Sequence, residues 1–336
     1  MPILDEEIVW RPAALNSDAL PAQNGGRMRL TSLVSGVKNN LFPDVSQNDR
    51  LAGSVTWRKA FIHLSSAQDS ALLNVRLFLE ALTPAGDCVL IYPGTASDTA
   101  DQVASRPFGI GTLEVPVASG TVQLRVRGEH PATYATLQPF RSGDLLRIAD
   151  RPGTGGSGNE DWATVSAVTY SDEEIIIDLA APLTHAYAID ATRVTSVWAE
   201  AQLQASASAV VVSSAAGSVS TAEPVALRVH NKGSIAETWQ VMFTDATTFT
   251  VSGLATGTLP EVGVINADYR PLNPATGTPY FTLPAAAWQG TFQAGDTVSF
   301  ETVPAALAVW YRREVPAGTA SLANDYASLT LQGESD

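Results

Sequence analysis

Leu73, Val75, Leu77 and Leu79 alternate with Asn74, Arg76, Phe78 and Glu80. A period of two turns one face of a β-strand toward a core. Val122-Gln123-Leu124-Arg125-Val126-Arg127 repeats the pattern with polar and basic residues between the apolar ones. In the run from Val55 to Leu64, Val55, Trp57, Lys59 and Phe61 share one parity, and Thr56, Arg58, Ala60 and Ile62 share the other. Aromatic and aliphatic residues dominate both parities, which predicts a strand. The turn Thr83-Pro84-Ala85-Gly86-Asp87 leads into another apolar run, Cys88 to Tyr92. Strands at this spacing, punctuated by Gly and Pro, point to a sandwich over residues 35–115.

The next unit, 139–198, reads as a small barrel or half-barrel: Leu145 to Ile148, Trp162 to Val168 and Ile175 to Leu179 are short strands with no helical period. The Ala- and Ser-rich run 201–222 predicts a linker plus an edge strand at Val210-Val211-Val212. Residues 223–300 give a third β unit, with runs at Val225 to His230, Trp239 to Thr244 and Phe249 to Gly253. From Tyr280 to Gly318 short strands continue through Trp288, Phe292, Val298 and Phe300, then Ala308 to Tyr311, ending in Arg312-Arg313-Glu314. Residues 1–34 carry Pro12, Pro21 and Gly25-Gly26 with little periodicity and predict an arm. Residues 95–106 predict a short helix or an ordered loop. The expected fold class is all-β.

Charged residues make up 16 % of the chain, below the usual ~25 %. Such a surface suits a β-rich subunit that hides area in an assembly. The net charge of −14 argues against nucleic acid, whose phosphates require Lys and Arg in place of counterions. The one cysteine, Cys88, sits in an apolar run and reads as a small buried hydrophobe. No run reaches the ~18 apolar residues of a membrane span. MPILDEEIVW lacks the basic flank and apolar core of a signal peptide, so the expectation is a protein kept in the cytoplasm or carried out inside something larger.

No catalytic constellation stands out. The loop 152–160, PGTGGSGNE, lacks the Lys-Ser/Thr ending of a phosphate loop and runs into Glu160-Asp161, so it reads as a hairpin loop. His63, His130, His185 and His230 are scattered, without the spacing of metal ligands. The acidic turns Asp5-Glu6-Glu7, Glu160-Asp161 and Asp172-Glu173-Glu174 read as solvated, the last being the one weighed for calcium. No catalytic residue, cofactor or metal is expected. The seven tryptophans are spread over all units, as core anchors are. Trp57, Phe61, Trp239, Phe243, Trp288, Trp310 and Tyr311 are expected to be largely buried. Arg58, Arg312 and Arg313 alternate with the aromatics and are expected to make inter-strand or inter-subunit ion pairs.

Three stretches carry a resemblance: NNLFPDVSQNDRLAGSVTWRKAFIHL at 39–64, WQVMFTDATTFTVSG at 239–253 leading into 270–306, and VWYRREVPAGTASLANDYASLTLQGES at 309–335. Together they resemble virion structural proteins of tailed bacteriophages and prophages, of the kind found with Mu-like, long-tailed phages. Shorter relatives join the first pattern directly to the last. The resemblance implies a discontinuous β-sandwich of 35–117 plus 299–336 after the arm 1–34. It implies that a small barrel-like domain, 118–200, and a second sandwich-like domain, 201–298, are inserted into that sandwich. It further implies a non-enzymatic building block of the tail or baseplate. The implied partners are copies of itself and other tail or baseplate proteins, and the implied location is the virion. The alternatives are a capsid decoration or minor head protein, and a module binding a host surface structure through loops such as 152–160 and 255–279.

Overall fold

The computed structural model describes residues 2–151, 157–171 and 174–335. The chain is all-β, with several sheets and a closed barrel. The first sheet is antiparallel throughout, in the order Gly25–Met28, Ile8–Leu15, Ser54–Leu64, Ala306–Val315, Cys88–Pro93. Its centre joins the two ends of the sequence: Trp310 lies opposite Lys59, and Arg312 opposite Trp57. The facing sheet holds Ser328–Ser335, Leu72–Ala81 and the C-terminal half of Arg193–Leu203. Ala60, Ile62, Leu77, Leu79, Ile91, Val309 and Tyr311 fill the space between the sheets.

The N-terminal half of Arg193–Leu203 belongs to a second structure. It pairs with both Ile110–Leu113 and Leu145–Ala149. The path continues through Gln123–Gly128, Ile175–Leu179 and Glu160–Tyr170 and closes a six-stranded barrel. Closure leaves no sheet edge. Leu124, Val126, Ile148, Val165 and Ile177 point inward, in one buried cluster with Leu90, Tyr92 and Trp310 of the first sheet. The first sheet is therefore covered on both faces around its middle. That is why Ser54–Leu64 is continuously buried from Arg58 to Leu64 and does not show the one-sided alternation of a half-exposed strand.

The third unit is built on Thr297–Val303, Glu237–Phe243 and Thr248–Gly253. Glu237–Phe243 alternates strictly between buried and exposed, with Trp239, Val241 and Phe243 inward. Phe243 stacks on Phe292 at 4.2 Å between ring centroids, and Trp239 meets Phe281 edge-on at 5.2 Å. The predicted edge strand is present as Val211–Ser213, paired to Thr297–Val303.

The strand topology moves several expected boundaries. Residues 1–34 are not only an arm, because Ile8–Leu15 pairs along Ser54–Leu64; a strand with Pro12 and little alternation was hidden from a periodicity reading. The barrel starts at Ile110, before residue 118. Arg193–Leu203 is shared across the 200/201 boundary, its partner changing at Trp198. Thr297–Val303 lies wholly in the third unit, and the return to the sandwich falls after Pro304. Residues 95–106 contain a single 3-10 turn, Ala100–Gln102. Two short helices were not expected: Gln47–Ala52, capped by the Ser46 hydroxyl on the Asp49 N–H, and Pro131–Leu137.

Candidate functional site

The seam between the two ends of the sequence holds a buried charge. Lys59 is completely enclosed; its Nζ donates to Asp98 Oδ1 at 2.6 Å, to Gly26 O at 2.8 Å and to Asp98 O at 3.1 Å. Asp98 Oδ2 accepts the Trp310 indole N–H at 2.9 Å. The ammonium also lies 4.9 Å from the Phe61 ring centroid and 5.6 Å from that of Trp310. Burial pushes the Lys59 pKa down, against the opposing pull of Asp98. A cation held on all sides by the protein has no donor left for a ligand, so this cluster acts on the fold.

The structure places the sequence-predicted residues as follows. Phe61, Trp239, Phe243, Trp310 and Tyr311 are buried. Trp57 and Trp288 are only half-buried: Trp57 rests edgewise between Tyr92 and Trp310, and the indole N–H of Trp288 has no partner among the described residues. Within the chain the three arginines differ in their partners. Buried Arg58 grips Asp18 with both nitrogens, at 2.5 and 2.8 Å, which holds the Asp18 carboxyl below its usual range. Arg312 pairs with Glu314 two residues along its own strand, at 2.7 Å. Arg313 has no ion pair among the described residues; its guanidinium lies 4.5 Å from the Phe42 ring centroid. Arg58 Nε and Arg313 Nε are buried without a hydrogen-bond partner among the described residues. The loop at 152–156 and the pair Asp172-Glu173 lie outside the described residues, while Glu174 is bound by Arg125 at 2.5 Å.

A second polar cluster locks the third unit to the sandwich. His63, with no exposed surface, accepts from Arg11 Nε at Nδ1 (2.8 Å) and donates from Nε2 to Asn231 O (2.8 Å). Asp69 Oδ2 meets His230 Nδ1 at 2.7 Å, and His230 Nε2 meets Thr282 Oγ1 at 2.8 Å. Asp69 Oδ1 accepts the Asn231 N–H, and Asn231 Nδ2 donates to Ser70 O, both at 2.8 Å. A carboxylate, an imidazole and a hydroxyl in this order match the connectivity of a nucleophilic triad. Thr282, however, is 2 % exposed, which closes the hydroxyl to an electrophile. The relay is a clamp between units. Arg27 adds to the junction by donating to Ala236 O at 2.5 Å.

The other His–Asp contact lacks relay geometry altogether. Thr184 Oγ1 and Asp161 Oδ1 both approach Nδ1 of His185, so one nitrogen serves both groups and no proton can pass through the ring between them. Burial pushes the Cys88 thiol well up, away from the thiolate. Among the described residues, no group of three or more His, Cys, Asp or Glu side chains is placed to hold a metal ion. No described helix is long and apolar enough to cross a membrane.

Sequence reading missed Lys59, Asp98, His63, Asp69, His230 and Asn231 as a set. Lys59 and His63 do share the parity of Trp57 and Phe61. A charged or ionisable residue on the apolar parity of a strand was the available signal. Asp98, Asp69 and Asn231 are turn residues in sequence and gave none.

Three buried ionisable groups make a pH prediction: His63 of the clamp, and Glu129 with Asp87 at the turn where the Glu129 carboxylate accepts the Thr83 N–H and the Val89 N–H. Burial lowers the His63 pKa from 6.5 to about 4, so the unfolded chain takes up the proton first. The stability linked to His63 is complete above pH 6.5 and declines as the pH falls toward 4. Glu129 and Asp87 run the opposite way. Burial raises Glu129 from 4.5 to about 7 and Asp87 from 3.8 to about 6, so their contribution is present in acid and lost as the pH rises through those values. In urea titrations at a series of pH values, a His63→Gln protein should lose the acid-side slope while Glu129→Gln loses the slope toward neutrality.

A second prediction concerns the clamp. Asp69→Ala removes the acceptor for both His230 and the Asn231 N–H. The third unit should then loosen on the sandwich, and limited proteolysis should cut near 203–206 sooner while the Trp239 core still melts cooperatively. Unchanged cleavage would show that the clamp carries little of the docking.

The chain matches no protein-family model and no curated protein.

Proposed function

We propose that this chain is a non-enzymatic structural subunit of a tailed-bacteriophage virion, in the tail or baseplate, acting through contacts with its own copies and with neighbouring tail proteins. One observation carries most of the support. The stretches that resemble such proteins, 39–64 and 309–335, are far apart in sequence and yet form one sandwich: Trp310 lies opposite Lys59, Arg313 rests on Phe42, and Ser328–Ser335 completes the facing sheet. The barrel and the third unit are carried from that frame. The polar clusters described above spend their hydrogen bonds within the chain, as suits a scaffold.

The test is immunogold labelling of purified particles from a host that carries the gene, with antibody raised against the chain. Gold along the tail or at the baseplate is the expected result. Gold confined to the capsid would move the subunit to the head, and unlabelled particles would remove it from the virion.

A further inference from the structure

Among the described residues, two sheet edges of four residues or more lack a backbone partner: Ser328–Ser335, and the side of Trp198–Leu203 turned away from Leu72–Ala81, which carries Glu200. Gly25–Met28 is capped by the loop through Asp98 and Thr99. Cys88–Pro93 exchanges two backbone hydrogen bonds with Phe108 and receives the Glu129 carboxylate at Val89 N. The barrel is closed, and the third unit ends in strands of two or three residues. Ser328–Ser335 is different. It runs eight residues, pairs with Leu72–Ala81 on one side only, and among the described residues makes no other backbone hydrogen bond. An open strand edge presents unpaired N–H and C=O groups whose complement is another extended chain.

We propose that this edge pairs antiparallel with the same strand of a second copy, extending the sandwich sheet across a two-fold axis. The inference deepens the structural-subunit reading and rests on it for its setting. Charge favours a copy here. The chain has a net charge of −14, which repels copies over most of the surface. Along this strand the one charged residue is Glu334, already engaged by Asn74 Nδ2 at 2.9 Å. Register shifts bracket Leu329 to Gln332 and leave it as the regular run. Leu329 and Leu331 pack into the sandwich, so Thr330 and Gln332, both neutral, stand on the other face. A two-fold pairing sets no like charges opposite each other in that run. An open groove of about 520 Å³ runs between the N-terminal residues Leu4 and Asp5 and the end of this strand, lined also by Arg76 and Glu334. Exposed Leu322 and Tyr326, at 50 % and 59 %, precede it and offer apolar area to cover. A two-fold interface of this kind is self-complementary by symmetry.

The experiment is sedimentation of the full chain over a concentration series, paired with hydrogen-exchange mass spectrometry at both ends of the series. The wild-type chain should dimerise on concentration, and the amides of Leu329 to Gln332 should gain protection only in the dimer. Gln332→Lys, which sets like charges on either side of the axis at a half-buried position, should weaken dimerisation by about tenfold. A monomer at every concentration overturns the proposal, and so does an oligomer in which these amides stay unprotected. Either result leaves the gold labelling free to place a monomeric subunit in the particle. Unlabelled particles together with the protected dimer would instead keep the edge and remove the virion reading.

Discussion

Replacing Trp310 by Ala should lower stability by about 3–5 kcal/mol and should melt the sandwich and the barrel as one unit. The indole has no exposed surface. It packs in the cluster that runs from Leu90 and Tyr92 of the first sheet into the barrel interior, meets Trp57 edge-on at 6.3 Å, and leans on Gly25. A Cβ at Gly25 would come within 2.5 Å of the Trp310 ring, and its φ of +112° disfavours any other residue. The surroundings therefore cannot collapse easily into the space that truncation leaves. Because Arg193–Leu203 pairs with both structures, strain at the seam reaches both. Urea denaturation followed by tryptophan fluorescence measures the loss. A separate, unshifted barrel transition would show that the shared strand does not couple the two.

The second large effect comes from the charge that Trp310 helps to bury. Asp98→Ala leaves the Lys59 ammonium with backbone carbonyls as its hydrogen-bond partners, and removing one partner of a buried pair costs about 3–5 kcal/mol. The same carboxylate accepts the Trp310 indole and the Thr95 N–H, so the loop that caps Gly25–Met28 loosens too. Lys59→Met combined with Asp98→Ala should recover part of the loss, since an apolar pair in place of a buried ion pair is often neutral. The midpoint in urea, read at constant slope, gives all three values. The Trp310 and Asp98 effects are neighbours and should not add.

Much of the fold was legible in the alternation of Leu73 to Leu79, Val122 to Arg127 and Ile175 to Leu179, because each of these strands has one covered face or lines a barrel. Trp239, Val241 and Phe243 were legible for the same reason. Ile8–Leu15 was not, because its pairing comes from Ser54–Leu64 and its residues carry no period of their own. The shared role of Arg193–Leu203 was equally invisible, since a strand that changes partner at Trp198 looks like any other strand in sequence. The partners of the arginines were not legible. Arg58 reaches back 40 positions to Asp18 while Arg312 takes Glu314 on its own strand, and sequence pattern says nothing of which acid folds back. The clamp at Asp69, His230 and Asn231 joins residues more than 160 positions apart, a separation that no local spacing reveals.

The most direct measurement of the central claim is quantitative mass spectrometry of infectious particles purified away from lysate. The expected result is this chain in several fixed copies per particle, retained with the tail when heads and tails are separated. Its absence from particles that remain fully infectious would contradict a role as a building block of the virion.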